Sequence, residues 1–131
     1  MPSMPNLKFD SGRPIIVVEA KISGKNLTAT AQLVFDTGAS LVILPWKITN
    51  ALGIKIDPNN TIQTATASNI ETVPVVIIPE MSVLGQKIKN VKAIVKDLPE
   101  GSGVDGLLGL SFIKNFNVKI DFKKGILTLE K

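Results

Sequence analysis

The chain contains no histidine and no cysteine. Imidazole acid–base catalysis, Ser-His-Asp and Cys-His nucleophile systems, thiolate chemistry and the usual zinc ligand sets are therefore closed to it. Any chemistry falls to carboxylates, hydroxyls, lysines or a borrowed cofactor. One stretch concentrates the means: Leu33-Val34-Phe35-Asp36-Thr37-Gly38-Ala39-Ser40. An apolar strand runs straight into a carboxylate, and Thr37-Gly38 then requires a tight turn that glycine accommodates. An ionisable group at the end of a buried strand costs free energy unless it is hydrogen-bonded. Taken alone, Asp36-Thr37-Gly38 is equally an aspartate capping a surface turn. A second stretch adds weight. In Val104-Asp105-Gly106-Leu107-Leu108-Gly109-Leu110-Ser111-Phe112-Ile113, paired leucines precede a glycine and a short helical pattern.

Together, in this order, the two stretches resemble the retropepsin-like aspartic proteases. That family has an Asp-Thr-Gly-Ala-Ser loop and an apolar-apolar-Gly segment that packs against it. The resemblance runs from about residue 15 to 130 and includes a C-terminal hairpin from Val118 to Leu129. It implies a mainly β fold, a small closed acid-protease barrel with one or two short helices, forming a twofold-symmetric dimer. Aspartic proteases work with two carboxylates sharing a proton, and this chain has a single Asp-Thr-Gly. An obligate homodimer in which each subunit supplies Asp36 is therefore expected. The implied activity is that of an aspartic endopeptidase cutting extended, apolar-rich peptides or unfolded protein, with no cofactor and no metal. Thr37 and Gly38 support the loop, with Thr37 bonding across the dimer axis. Gly38 and Ser40 contact substrate main chain, and Leu107 lines an apolar pocket. The rival reading is a retropepsin-like dimerisation or peptide-binding module with little or no proteolysis.

Departures from the family pattern are specific. Retroviral members carry an acid four residues after the catalytic aspartate and an arginine after the apolar-apolar-Gly; here Ser40 and Leu110 stand there. Pepsin-like relatives typically place a hydroxyl three residues after the aspartate, where this chain has Ala39. The substrate-covering flap is expected over Thr61–Val76, its tip at Ala67, Ser68, Asn69 and Ile70. Glycine is common at such tips, but none occurs between Gly53 and Gly85, so Asn69 is expected to supply any positive φ. Two further motifs compete for notice. Asp10-Ser11-Gly12 also fits Asp-[Thr/Ser]-Gly but lies too near Asp36 to head a second lobe, and reads as a turn. Gly101-Ser102-Gly103-Val104-Asp105-Gly106 matches the dinucleotide fingerprint but lacks the strand before it and the long helix after it.

The elements that must position these residues are mostly strands. Period-two alternation places Leu27, Ala29, Ala31, Leu33 and Phe35 on one face, and Val118, Ile120 and Phe122 on another. Further strands are expected over 15–22, 40–44, 61–67, 70–78, 86–96 with a register break near Asn90, and 126–130. Two helices fit: Pro45–Leu52, with Ile48, Ala51 and Leu52 inward, and Ser111–Phe116 with Ser111 as N-cap. All 131 residues read as one retropepsin-like domain, with 1–14 an irregular N-terminal segment. The chain is 44% apolar and 20% charged with a net charge of +4, ordinary for a globular protein. The surplus of lysine lies beyond Gln86, alternating rather than in blocks, and there is one arginine, so nucleic-acid binding is not expected. No basic-then-apolar leader and no membrane-length apolar run occur, which makes a cytoplasmic, membrane-free protein the expectation.

Overall fold

The computed structural model describes residues 5–65 and 67–131. The elements follow in the order β1 (Asn6–Lys8), β2 (Val17–Ser23), β3 (Thr28–Phe35), β4 (Val42–Leu44), α1 (Trp46–Ala51), β5 (Thr61–Ala65), β6 (Ile70–Val83), β7 (Gln86–Val95), β8 (Gly106–Leu108), α2 (Leu110–Ile113), β9 (Asn117–Asp121) and β10 (Ile126–Glu130). The fold is mainly β, as expected. Alternation explains why: in β2 Val18, Ala20 and Ile22 are buried, and in β3 Ala31, Leu33 and Phe35. Leu27, assigned to the same face, lies outside the strand and is 62% exposed.

Six strands close a barrel in the order β2-β3-β8-β4-β7-β6, with β6 returning to β2 through pairs such as Ala20–Val83 and Ile22–Met81. Its interior is filled by side chains, among them Leu33, Leu44, Ile78, Met81, Leu108 and Phe112. The second half of β6, from Val75 to Val83, pairs with β7. The first half pairs only with β5, from Thr61–Pro74 to Ala65–Ile70, so a two-stranded ribbon extends beyond the barrel. The ribbon occupies the expected flap. Asn69 does not carry a positive φ; among the described non-glycine residues only Leu84 and Asn90 do.

A separate three-stranded sheet has the order β1-β10-β9. Its β1 strand falls inside the segment expected to be irregular, because Asn6–Lys8 pairs with Ile126–Thr128. The expected break in alternation at Asn90 is present: Asn90 takes a positive φ and is passed over in the β6–β7 ladder, although the register is the same on either side. Burial changes phase there on β7 and also on the facing part of β6, and pairing keeps a single register from Val75–Ile94 to Val83–Gln86. Helix α1 buries Thr49 rather than Ala51, which is exposed. The Thr49 hydroxyl is satisfied by the carbonyls of Pro45 (3.3 Å) and Trp46 (3.0 Å), which lets it face the core.

Candidate active site

β3 delivers Asp36. Its last residue, Phe35, is buried and lies parallel to Leu108 of β8. The next amide, Asp36 N–H, donates to Leu108 O at 3.0 Å, so the sheet still holds the backbone where the side chain leaves it. Gly38 N–H donates to Asp36 Oδ1 at 2.9 Å and Ala39 N–H to Asp36 O at 3.3 Å, closing the turn. The Asp36 carboxylate is thus held half-buried with one oxygen bonded to a backbone amide, while Thr37, Gly38 and Ser40 are exposed.

β8 lies between β3 and β4, parallel to one and antiparallel to the other through Ile43–Leu107. Residues 36–41, which join β3 to β4, therefore cross the end of β8. Backbone bonds fasten them there: Leu110 N–H to Ala39 O at 2.8 Å and Ser111 N–H to Ser40 O at 3.0 Å. The approach explains both glycines of Gly106-Leu107-Leu108-Gly109. A Cβ at Gly109 would collide with the Leu41 and Ala39 carbonyls, and one at Gly106 with the Ile43 carbonyl. Ser111 does not cap α2; Gly109 occupies that position without a side-chain bond. Instead Ser111 Oγ accepts from Val42 N–H at 2.9 Å and donates to Lys92 O at 2.7 Å, joining the beginnings of the paired parts of β4 and β7.

Two cavities open, one at this loop and one beside β4 and β8. One of about 410 Å³ is lined by Asp36 and Thr37 with Ile15, Ile16, Ile120 and Phe122 among its apolar walls. The other, about 460 Å³, is lined by Ile43, Leu98, Pro99 and Leu107, with Lys96, Glu71 and Asp97 also bordering it. Leu107 thus borders an apolar cavity one residue from the carbonyl that holds Asp36. Ala67, Ser68 and Asn69 are exposed in the turn of the ribbon and Ile70 begins its second strand, 65% exposed. Asp10-Ser11-Gly12 is an exposed turn, Gly12 N–H donating to Asp10 Oδ1 at 2.9 Å. The Gly101–Gly106 segment leads into the three-residue β8 rather than a helix. Its Asp105 extends the β3 contact instead, accepting from Gln32 N–H at 2.7 Å and donating its own N–H to Gln32 O at 2.8 Å.

The family model described as aspartyl protease matches residues 18–112, most of the barrel together with both motif stretches. The chain belongs to the aspartyl protease family. It is an aspartic endopeptidase, a hydrolase of peptide bonds. The crystal structure of a retropepsin-like aspartic protease from Rickettsia conorii superposes with a TM-score of 0.67 at 23% identity, covering 97% of this chain and 90% of that one. The likeness establishes the retropepsin-like fold. No curated protein matches this aspartyl protease. Among its described residues no cluster of three or more aspartates and glutamates could hold a metal ion, and no helix is long and apolar enough to cross a membrane.

Three contributing residues were not singled out from sequence: Ser111 as a strand clamp, Asp105 and Lys96. Ser111 and Asp105 act on atoms distant in the chain, at Val42, Lys92 and Gln32. No local pattern announces them. Lys96 follows an apolar run and sits in line with other alternating lysines; only its burial distinguishes it.

Proposed function

We propose that this protein cleaves extended peptides as a homodimer, with Asp36 of each subunit forming one shared catalytic dyad at the twofold axis. The observation that carries the reading is Asp36 itself: one backbone-anchored carboxylate per chain, at the mouth of an apolar cavity, in a family whose chemistry uses two. Two carboxylates that close cannot both ionise, so the dyad holds a single proton. The ionised Asp36 takes a proton from water as its oxygen attacks the scissile carbonyl carbon, and the protonated Asp36 of the partner subunit donates to the carbonyl oxygen. Collapse of the resulting gem-diol breaks the C–N bond, with a proton passing to the leaving nitrogen and the dyad restored. Thr37, exposed beside Asp36, is assigned to bonding across the axis. Gly38 and Ser40 are assigned to substrate main chain, Leu107 to a side-chain pocket, and the ribbon with Ala67, Ser68, Asn69 and Ile70 at its turn to covering the bound peptide. The apolar walls of the Leu107 cavity favour apolar substrate side chains.

The test is digestion of a peptide library across pH by wild type and Asp36→Asn side by side. The substitution keeps the shape and removes the ionisable base. Turnover is expected to fall by at least the ~10²–10⁴ that a proton-transfer group supplies. Cleavage that persists in Asp36→Asn, or that disappears with a chelator in wild type, overturns the reading. Binding without cleavage by wild type would favour a peptide-binding module.

A further inference from the structure

The ribbon formed by β5 and the first part of β6 has little to hold it down. Its strands pair only with each other between Thr61–Pro74 and Ala65–Ile70. Most of its residues are exposed, Ile62 and Ile70 included; Val73 is the buried exception. A lone two-stranded hairpin is marginal in water. Beyond the buried Val73, the side chain of Lys96, just after β7, reaches it. Lys96 Nζ lies 3.4 Å from Glu71 Oε2 and 3.5 Å from Thr64 Oγ1. Thr64 and Glu71 are directly opposite each other across the ribbon, so a single ammonium engages both strands.

The barrel end of this contact is firmly placed. Lys96 N–H donates to Leu44 O at 2.9 Å, and the neighbouring Asp97 Oδ1 accepts from Trp46 N–H at 3.0 Å. The Lys96 side chain is only 20% exposed and Lys96 borders the Leu107 cavity, whereas Glu71 is 51% exposed on the ribbon. This is the one ion pair found among the described residues. We infer that Lys96 is a positioning residue that latches the ribbon over the Leu107 cavity by holding Glu71 and Thr64 together, so that peptide entry requires the latch to yield.

The inference rests on the proposed role of the ribbon as a substrate cover, and its test separates the two. Hydrogen exchange of ribbon amides (61–65 and 70–73) needs no catalysis and is measured on the full chain carrying Asp36→Asn, with Lys96, Lys96→Met or Lys96→Arg. Lys96→Met keeps an apolar stem against the cavity and removes the charge. It should speed ribbon exchange by about two- to fivefold, the range a partly exposed ion pair supports, while amides of β2 and β3 stay unchanged. Lys96→Arg should restore protection. Raising salt to ~1 M should speed ribbon exchange in the Lys96 protein and leave Lys96→Met nearly unmoved, a response that simple loss of packing does not give. In the active enzyme, Lys96→Met should alter KM for a peptide substrate by a similar factor with kcat nearly constant. Ribbon exchange that is unaffected by Lys96→Met, or insensitive to salt in the Lys96 protein, overturns the latch. Altered exchange with unchanged KM overturns its role in peptide entry. If the Asp36 enzyme cleaves no peptide at all, the catalytic reading fails while the exchange data still decide the latch.

Discussion

Asp10 and Asp36 make the same local bond: in each case the glycine two residues on donates its N–H to the aspartate Oδ1 at 2.9 Å. What separates them is their surroundings. Asp36 follows a buried strand and takes a backbone bond from β8, whereas Asp10 sits in an exposed turn. The turn chemistry of both was legible from Asp-x-Gly, and the nearness of Asp10 to Asp36 together with the second motif at 104–113 set Asp36 apart in sequence. The detailed support was not legible, because Leu108, Leu110 and Ser111 reach the loop only through the barrel's closure. Ala39 gives the residue-scale test. Its amide serves the Asp36 carbonyl, and it brings no side-chain donor to the carboxylate. Ala39→Ser introduces a hydroxyl there, and a hydrogen bond to a carboxylate favours the charged form. In the proposed dyad the two carboxylates share one proton, so both limbs of the pH–kcat/KM profile should move to lower pH together in Ala39→Ser. Paired profiles of the two proteins check this, and limbs that stay put or move upward count against it.

Among the elements, long alternating strands could be read to within a few residues, since burial of every second side chain is written locally. β8 and β1 could not. Each is three residues long, and each is a strand only because distant partners, Leu33–Phe35 for one and Ile126–Thr128 for the other, place a ladder beside it. The Ser111 assignment failed for the same reason. A serine near a helix start suggests a cap, yet its hydroxyl is used between β4 and β7, at Val42 N–H and Lys92 O. That role makes a different prediction from a cap. Ser111→Ala should leave those two backbone groups without their partner and cost about 1–3 kcal/mol of stability. Because Ser111 N–H also holds Ser40 O, activity should fall along with stability as residues 36–41 loosen. Denaturant unfolding together with peptide cleavage tests the coupling. Ser111→Thr keeps the hydroxyl and should lie closer to wild type in both.

At the scale of the molecule, the question is where a second subunit would bring its Asp36. The 126–130 strand is not a free edge: β10 is the middle strand of its sheet, flanked by β1 and β9. The outer edges are β1 and β9, and β9 together with Phe122 just after it carries apolar side chains that the chain itself leaves exposed. Val118 is 36% exposed and Phe122 65%, the latter in an edge-to-face contact with Phe9, with ring centroids 6.2 Å apart at 75°. Alternation announced a buried face through Val118, Ile120 and Phe122, yet within one subunit only Ile120 packs against the core. Phe122 also borders the cavity that Asp36 lines, so the exposed apolar surface adjoins the Asp36 carboxylate. An exposed apolar patch of this kind favours association, and a twofold contact made there sets two copies of the loop near each other. Phe122→Asp should therefore place like charges at the contact and weaken the dimer. The loss in subunit stability should be no more than the ~1 kcal/mol an aromatic pair supplies. Specific activity of wild type should fall on dilution through the dimer dissociation constant, and Phe122→Asp should shift that fall to higher concentration. Sedimentation analysis alongside a dilution series of peptide cleavage reads both. A Phe122→Asp protein that sediments as a monomer and keeps full activity at every concentration would rule out a site shared between subunits.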